Sequence, residues 1–394
     1  MKQGLRGGCF VLLLCLAGAV ARAEEAPAPF QSLAFDAALK RAAKENKIVF
    51  VDFFTTWCGP CQMLDATTWK DPAVAALLRE KTVALRVDAE KEAALAQRYD
   101  VQAYPTMALI KPDGTVIDRL VGYRDAKKFQ SDFADSLAGK TSLARAREEA
   151  AAAKGDADAT AKARYDLGQE LARAGKNDEA LAEYLWCFDD GMVKAVGYSG
   201  VRLSFLTSSI AQLGKTYPPA LDALRQRRDG ARQKMDKTPS DRQAAGDFAA
   251  LNDALKDNQA TLDYFDKLPP GDLRRAAMGY RLFDLLIDAK RYADAAAAVP
   301  YDQFKQTFLR LITPRDGVSA EATAALHNYS VGYGAKEVEV LAGEGHADEA
   351  REMIKTILGF DRSEGAVATL REHLARAGHP ELLDAAPAPG PAKS

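Results

Sequence analysis

Two cysteines separated by two residues stand shortly after an apolar run of strand length. The run is 47–54, and the motif Cys58-Gly59-Pro60-Cys61 comes where a helix would begin. Unpaired backbone N–H groups and the helix dipole at that position favour a thiolate, so we predict a lowered pKa for the Cys58 thiol. Such a thiol is both a nucleophile and a good leaving group. Cys61, one turn further on, can close a small disulfide ring with Cys58 and attack a mixed disulfide formed there.

An acid and an indole flank this motif. Asp52 lies between Val51 and Phe53 in the middle of the apolar run. Desolvation of an ionised carboxylate there is costly, so we expect a raised pKa and a role as proton acceptor for Cys61. The alternative is a hydrogen-bonded structural aspartate. Trp57 is expected to shape a docking surface beside Cys58, the alternative being a packing residue.

Two other interpretations of the cysteine pair are a structural disulfide and half of a zinc site. A zinc site needs further ligands. Once a leader is removed, the chain keeps only one more cysteine, Cys187, which we expect to be a buried free thiol. The histidines all lie far from the motif and are expected at the surface or at turns: His327, His346, His373 and His379. We therefore favour redox chemistry and predict no metal and no cofactor.

The elements that position the motif alternate between strands and helices, which predicts an α/β domain over 32–139 with a central mixed sheet. Four runs have the composition of buried strands: 47–54, 82–87, 106–110 and 115–121. Helices are predicted before, between and after them: 32–47, 62–64, 72–80, 90–99 and 126–137.

The rest of the chain has long Ala/Leu-rich stretches with helical spacing, which predicts an all-α domain over 140–384. Its clearest hairpin is 163–188, and weaker ones lie at 282–299 and 340–357. The small and large residues of these hairpins resemble tetratricopeptide repeats, although their spacing is irregular. The Ala/Pro/Gly-rich segment 385–394 is predicted to be a disordered tail.

The first residues carry the pattern of an export signal. Lys2 and Arg6 precede an apolar run of about 12 residues, shorter than the ~20 of a spanning helix, and Ala21-Arg22-Ala23 follows. We predict a signal peptide over 1–23, cleaved near Ala23, with an uncleaved anchor as the alternative, and a linker over 24–31. The mature protein is expected to be soluble in the periplasm or otherwise exported. With 53 Lys+Arg against 55 Asp+Glu, nothing predicts nucleic acid binding.

The segment 51–61 resembles the active site of thioredoxin. Ala103-Tyr104-Pro105-Thr106 stands where thioredoxins carry a cis-proline facing the redox cysteines, and the similarity covers about residues 33–139. The resemblance implies a cis Pro105 and a Cys58–Cys61 disulfide in the oxidised state. It also implies a substrate-binding surface made of Trp57, Gly59, Pro60, Tyr104 and Pro105.

Two departures from the thioredoxin pattern are informative. The domain starts with a helix, and it inserts 67–72 and a further helix after the active-site helix, a layout more similar to the exported domain of the DsbD electron transporter. The family lysine near the buried aspartate aligns with Ala84. We therefore expect proton handling around Asp52 to differ from thioredoxin.

These patterns favour an exported thiol–disulfide oxidoreductase acting on protein disulfides. The Gly-Pro centre resembles the reducing members of the family, so we predict a reductase or interchange protein recharged by a membrane electron donor. The helical domain is expected to recruit a peptide or protein partner. The alternatives are a helical scaffold or chaperone with an accessory redox domain, and a helical domain that only dimerises the chain.

Overall fold

A computed structural model describes residues 29–313 and 320–383 of the chain. An α/β region is followed by a helical region, as the sequence predicts. The predicted signal peptide, most of the predicted linker and the predicted tail lie outside the described residues. Over the described part of the chain, no helix combines the length and the apolar character needed to cross a bilayer.

The α/β region is built on a mixed sheet of four strands in the order β2-β1-β3-β4. β1 runs parallel to β2 and antiparallel to β3, and β3 is antiparallel to β4. The central five residues of β1 are buried, because one apolar cluster covers each face of the sheet. The strands occupy the predicted positions: β1 Ile48–Phe54, β2 Thr82–Asp88, β3 Thr106–Ile110 and β4 Val116–Val121.

Five helices surround this sheet, and local signals fix several of their ends. The region begins with a helix, which Asn46 ends in the left-handed conformation. Asp71 and Asp125 cap two helices by accepting hydrogen bonds from backbone N–H groups of the first turn. The helices are α1 Phe35–Glu45, α2 Gly59–Ala66, α3 Pro72–Lys81, α4 Ala93–Arg98 and α5 Ala126–Leu137.

The first helix beyond the α/β region, α6 Ser142–Ala152, is fixed to β4 by a buried polar network. The carboxylate of Asp118 accepts hydrogen bonds from the Ser142 N–H at 2.9 Å and from Arg145 Nη2 at 2.9 Å. Arg145 also donates to the Lys140 carbonyl at 2.6 Å. Both charged groups are buried and each has its partner, so the network joins the two regions directly.

The helical region continues as a succession of helices, most of them paired as antiparallel hairpins. Two five-residue π-helical segments, Cys187–Gly191 and Arg202–Leu206, interrupt the pattern. The helices are α7 Ala157–Arg173, α8 Asn177–Trp186, α9 Met192–Lys194, α10 Ser199–Val201, α11 Thr207–Leu213, α12 Pro219–Lys237, α13 Arg242–Ala254, α14 Asn258–Phe265, α15 Leu273–Asp288, α16 Tyr292–Ala298, α17 Tyr301–Ile312, α18 Ala320–Gly343, α19 Ala347–Phe360 and α20 Glu364–Ala377.

Small residues let the paired helices approach closely. A Cβ atom built on Gly168 of α7 would lie 2.7 Å from the ring of Tyr184 on α8. A Cβ on Gly279 of α15 would likewise meet the Ala298 Cβ at 2.3 Å. The predicted hairpins 163–188, 282–299 and 340–357 fall on α7–α8, α15–α16 and α18–α19. Their likeness to tetratricopeptide repeats remains a sequence resemblance.

Candidate active site

The cysteine pair occupies the junction between β1 and α2. Cys58 is the N-cap of α2 and Cys61 lies in its first turn, with both side chains buried. The two form a disulfide whose Cα atoms are 5.3 Å apart. The Cys61 backbone N–H donates to the Cys58 Sγ at 3.2 Å, so one of the free donors of the helix N-terminus is directed at this sulfur. That arrangement stabilises negative charge on the Cys58 sulfur when the bond is reduced.

The residues between the cysteines leave the disulfide approachable from one side. A Cβ atom built on Gly59 would meet nothing within 4 Å. Pro60 is exposed in the first turn of α2, where its missing N–H costs no hydrogen bond. Both predicted docking residues therefore lie beside the disulfide with space in front of them.

Trp57 and Tyr104 form an aromatic contact next to this space. The indole of Trp57 is 57% exposed, and its ring meets that of Tyr104 edge-on with centroids 5.9 Å apart. The indole Nε1 donates to the Glu90 carboxylate at 3.0 Å. This bond fixes the direction in which the exposed ring points. Glu90 lies 33 residues further along the chain, so no local pattern in the sequence predicts its part in the site.

Pro105 is brought to the same end of the sheet by strand pairing. The peptide bond Tyr104–Pro105 is cis. Thr106, the next residue, pairs with Phe53 near the end of β1. The loop before β3 and the loop between β1 and α2 therefore lie at the same end of the sheet. The Gly122 N–H donates to the Pro105 carbonyl at 2.9 Å, which holds the loop after β4 against it.

Asp52 lies on the sheet face that α2 covers. Alternation along β1 places its side chain on the same face as Phe50, which packs in one apolar cluster with Leu64 of α2. The side chain is 1% exposed, and burial raises the pKa of Asp52 to about 7. At neutral pH this carboxyl can therefore both accept and return a proton, which suits the role predicted for it toward Cys61.

Three side chains around Asp52 set its charge. Trp69 Nε1 donates to Asp52 Oδ2 at 3.1 Å, so this buried tryptophan is also a hydrogen-bond donor. Arg86 Nε lies 3.5 Å from the same oxygen, and Arg86 Nη2 donates to Asp65 on α2 at 2.6 Å. The positive charge of Arg86 opposes the effect of burial on the Asp52 pKa. Asp52 Oδ1 has no hydrogen-bond partner among the described residues, so this oxygen is available to accept a proton.

Arg86 was missed because its position depends on sheet pairing. The expected family position aligns with Ala84, which is buried and uncharged. Parallel pairing of β1 with β2 sets Arg86 opposite Asp52, two residues beyond Ala84 and on the same face. The signal in the sequence was a single charged residue within the apolar run 82–87, which alone does not say which strand lies beside it.

Cys187 and the three histidines whose side chains the structure describes lie outside this site. Cys187 is free and buried, as predicted, and burial raises its pKa to about 12. His346 is exposed at the start of α19 and His379 is partly exposed just past α20, and the His327 side chain lies outside the described ones. The prediction is wrong for His373, which lies within α20 and bonds to the buried Glu339 at 2.6 Å. Across 29–313 and 320–383, no three His, Cys, Asp or Glu residues are grouped as a metal site.

Comparison with known proteins agrees with this geometry over the first region. The thioredoxin-like domain family matches residues 35–135. A thioredoxin of Chlamydia trachomatis is 41% identical over 78 residues, which are 20% of this chain and 72% of that protein. A thioredoxin-like protein of Synechocystis is 38% identical over 84 residues, 21% of this chain and 76% of its own length.

Two further relatives cover more of this chain. The chloroplast thioredoxin Y1 of Arabidopsis thaliana is 35% identical over 103 residues, 26% of this chain, which spans only 58% of that relative. A solved structure of a candidate disulphide isomerase from Bacteroides thetaiotaomicron is 42% identical and matches 27% of this chain and 91% of its own, with a TM-score of 0.26.

Proposed function

The chain belongs to the thioredoxin family, and we propose that it is an exported thiol–disulfide oxidoreductase that reduces or exchanges disulfides in proteins. A thioredoxin-like fold with a Cys58–Cys61 disulfide supports the oxidoreductase activity. The observation that carries the proposal is the position of Cys58 at the N-terminus of α2, with a backbone N–H directed at its sulfur and Asp52 on the sheet face below.

The reaction follows from these positions. The Cys58 thiolate attacks one sulfur of a substrate disulfide, forms a mixed disulfide and releases the other sulfur as a thiolate that takes up a proton. The Cys61 thiol gives its proton to Asp52 and attacks the Cys58 sulfur. The Cys58–Cys61 bond forms, the mixed bond breaks, and the substrate leaves with both sulfurs reduced. Two electrons have passed to the substrate, and a dithiol donor must return them before the next cycle.

The direction of electron flow is tested by the reduction potential of the Cys58/Cys61 pair. Equilibration of the full chain with glutathione mixtures, in the Cys187→Ser background, isolates the pair. A potential below about −220 mV, near that of thioredoxin, is expected for a reductase. A potential above about −150 mV, near that of the strong oxidants, would contradict the reducing direction and leave an oxidase role.

Export is proposed from the first 23 residues alone. Their basic start, short apolar run and Ala21-Arg22-Ala23 are typical of a cleaved secretory signal. In an exported compartment a reductase needs electrons from across the membrane, so we include a membrane electron donor in the proposal. The mass of the protein recovered from a periplasmic fraction should correspond to a chain starting at Glu24. Recovery of the uncleaved chain with the cytoplasm would contradict export.

We also propose that the helical region recruits the partner on which Cys58 acts. Two of its tyrosines, Tyr280 and Tyr329, are more than half exposed, and stacked helical hairpins build binding surfaces of this kind. The Cys61→Ser variant cannot resolve a mixed disulfide and should trap partners on Cys58. Double substitution of Tyr280 and Tyr329 by Ala should reduce the trapped species while insulin reduction by the same double variant with Cys61 intact stays unchanged. Equal trapping would favour a helical region that only scaffolds or dimerises.

A further inference from the structure

The guanidinium of Arg86 lies between two carboxylates of the α/β region. Its Nη2 donates to Asp65 Oδ2 at 2.6 Å, whereas its Nε lies 3.5 Å from Asp52 Oδ2 and forms no hydrogen bond within the described residues. The Asp65 side chain is 37% exposed and that of Asp52 only 1%. The cation therefore has its closer contact with the acid that water can already stabilise, and its longer contact with the buried acid that needs it more.

Asp65 belongs to the helix that carries the cysteine pair. It lies one turn of α2 beyond Cys61, on the same side of the helix. The guanidinium carbon of Arg86 also lies 3.9 Å from the centroid of the Phe54 ring, which holds the flat group from one face. With that ring in place, loss of Asp65 leaves the guanidinium free to move toward Asp52, where the low polarity of the interior strengthens the attraction.

The charges that act on Asp52 come from two elements. Burial has the largest effect on the Asp52 pKa, followed by the positive charge of Arg86 on β2, which lowers the pKa, and the negative charge of Asp65 on α2, which raises it. Met107, opposite Asp52 on β3, and the Trp69 indole are uncharged. The helices α3 and α5 cover the same sheet face with apolar side chains. Asp65 and Arg86 are thus the pair that sets the charge balance at Asp52.

We propose that Asp65 is a positioning residue of the redox reaction, which holds the Arg86 guanidinium short of Asp52 and so keeps that carboxyl able to take the Cys61 proton and to give it back. A full ion pair between Arg86 and Asp52 would stabilise the carboxylate and make it a weaker base toward the thiol. Asp65 acts through Arg86 and takes no proton itself. The inference rests on the proposed oxidoreductase function and deepens it, because it names what regulates the acid of that same site.

Carbon-13 NMR of the oxidised full chain tests this without a redox reaction, because the two cysteines are bonded to each other and do not titrate. The Asp52 carboxyl signal is assigned by its absence from Asp52→Asn, and its titration midpoint is read from spectra taken across a pH series. Asp65→Asn should lower this midpoint by about 0.5 to 1 pH unit, since Arg86 then approaches Asp52 and a negative charge is lost.

Three further variants separate positioning from other effects. Asp65→Glu keeps a carboxylate within reach of Arg86 and should retain most of the native midpoint. Glu80→Gln removes an exposed carboxylate of α3 that is paired with Lys81, and should leave the midpoint in place. In the Arg86→Gln background, Asp65→Asn should move the midpoint by less than half as much as in the native chain, because no guanidinium remains to be held.

An unchanged or higher midpoint in Asp65→Asn would overturn the proposal, since Asp65 would then have no influence on Asp52 or would anchor Arg86 beside it. An equal fall in the native and Arg86→Gln backgrounds would also overturn it, because repulsion between the two carboxylates would suffice as the cause.

The part of Asp65 in the reaction is read from release of the mixed disulfide. At pH 6 the Asp65→Asn variant should release about two- to fivefold faster than the native chain, because more of its Asp52 is ionised, and a damaged fold would not produce such a gain. An equal or slower rate at pH 6 would overturn the positioning role. If the native chain failed to reduce insulin, the oxidoreductase proposal would fall, while the NMR midpoints would still decide whether Asp65 positions Arg86.

Discussion

Cys58 in the α/β region and Cys187 in the helical region are both buried, yet only one is set up to react. The Cys58 sulfur receives a backbone N–H at the start of α2 and has a second sulfur within bonding distance. Among the described residues the Cys187 sulfur has one hydrogen-bond partner, the Ala161 carbonyl at 3.8 Å, an acceptor that stabilises the thiol and not the thiolate. The comparison shows that burial disfavours the thiolate form of a cysteine unless a backbone N–H donates to its sulfur. Whether such an N–H is available depends on where the cysteine lies on its helix.

The same contrast holds for the buried acids of the two regions. Asp52 has Trp69 and Arg86 beside it, whereas no cation is paired with Glu337 among the described residues, and burial raises its pKa to about 8. The α/β region thus tunes its buried acid with partners inside the fold. The helical region leaves Glu337 Oε2 without a hydrogen-bond partner among the described residues.

The largest effect expected from this comparison is that of removing the Cys58 sulfur. Cys58→Ser should lower insulin reduction by about 1000-fold or more, because the attacking thiolate is lost. Cys187→Ser should leave the rate unchanged, because a thiol with a pKa of about 12 is not ionised at neutral pH. A matching loss of insulin reduction in Cys187→Ser, with the fold intact by circular dichroism, would contradict the conclusion that only Cys58 is reactive.

Asp52→Asn should have the next largest effect, on release of the mixed disulfide. A proton acceptor contributes about 100-fold or more, so the release rate at pH 7 should fall by that order. In the native chain this rate should rise as pH increases through about 7, as Asp52 becomes ionised, and the variant should lose that rise. Stopped-flow release from a trapped chromogenic thiol measures both, and an unchanged profile would leave Asp52 a structural residue.

Stability provides the control for this variant, because it should change in the opposite direction. The folded-state pKa of Asp52 lies above its ordinary value, so the stability this group contributes is present at low pH and lost as pH rises through about 7. Asp52→Asn should therefore raise the free energy of unfolding above pH 7 by up to about 4 kcal/mol. The difference should disappear below pH 4. A variant that is slower and also less stable would indicate a damaged fold.

Arg86→Gln should have a smaller effect, on the position of the pH profile. Loss of the nearby positive charge raises the Asp52 pKa further, so the midpoint of the release profile should move up by about one pH unit. Arg86→Lys keeps the positive charge on a shorter side chain and should shift the midpoint less. Arg41→Gln, which removes an exposed arginine paired with Glu45 on α1, is the matched control and should leave the midpoint in place.

The smallest effects are expected from substitutions in the helical region. They should change the free energy of unfolding and leave insulin reduction unchanged. Gly168→Ala places a methyl group 2.7 Å from the Tyr184 ring and should destabilise the first hairpin by roughly 1–3 kcal/mol. Gly230→Ala in α12 meets nothing within 4 Å and should stabilise by about 0.5–1 kcal/mol. Denaturant unfolding followed by circular dichroism measures both. A change in insulin reduction in either variant would show that the two regions are coupled.

The α/β fold could be predicted from the sequence because its strands are continuous apolar runs bounded by clear breaks. β3 and α5 occupy the predicted residues, since Pro105 and Asp125 mark their starts. The helix predicted over 32–47 is shorter, because residues before Phe35 are extended and Asn46 ends it. Apolar runs and helix-capping residues are local features, and local features can be recognised in a single sequence.

The parts that could not be predicted depend on contacts between distant residues. Arg86 joins the site through strand pairing, and His373 is half-buried because Glu339 of another helix lies beside it. The π-helical segment Arg202–Leu206 has no distinctive composition, and the buried Arg202 bonds to Asp247 of α13. Hydrophobic periodicity gives no information about which distant residues will pair in the fold.

The docking of α6 on β4 decides where the chain can be divided. A cassette that stops at Gly139, the end of the α/β pattern, would lose the Ser142 N–H and the Arg145 guanidinium and leave the Asp118 carboxylate short of donors. Stripping a buried charge of its partner costs about 3–5 kcal/mol, a large part of the stability of a domain of this size. Any graft of this redox unit onto another protein should therefore keep the chain through Ala152 and join the new sequence beyond it.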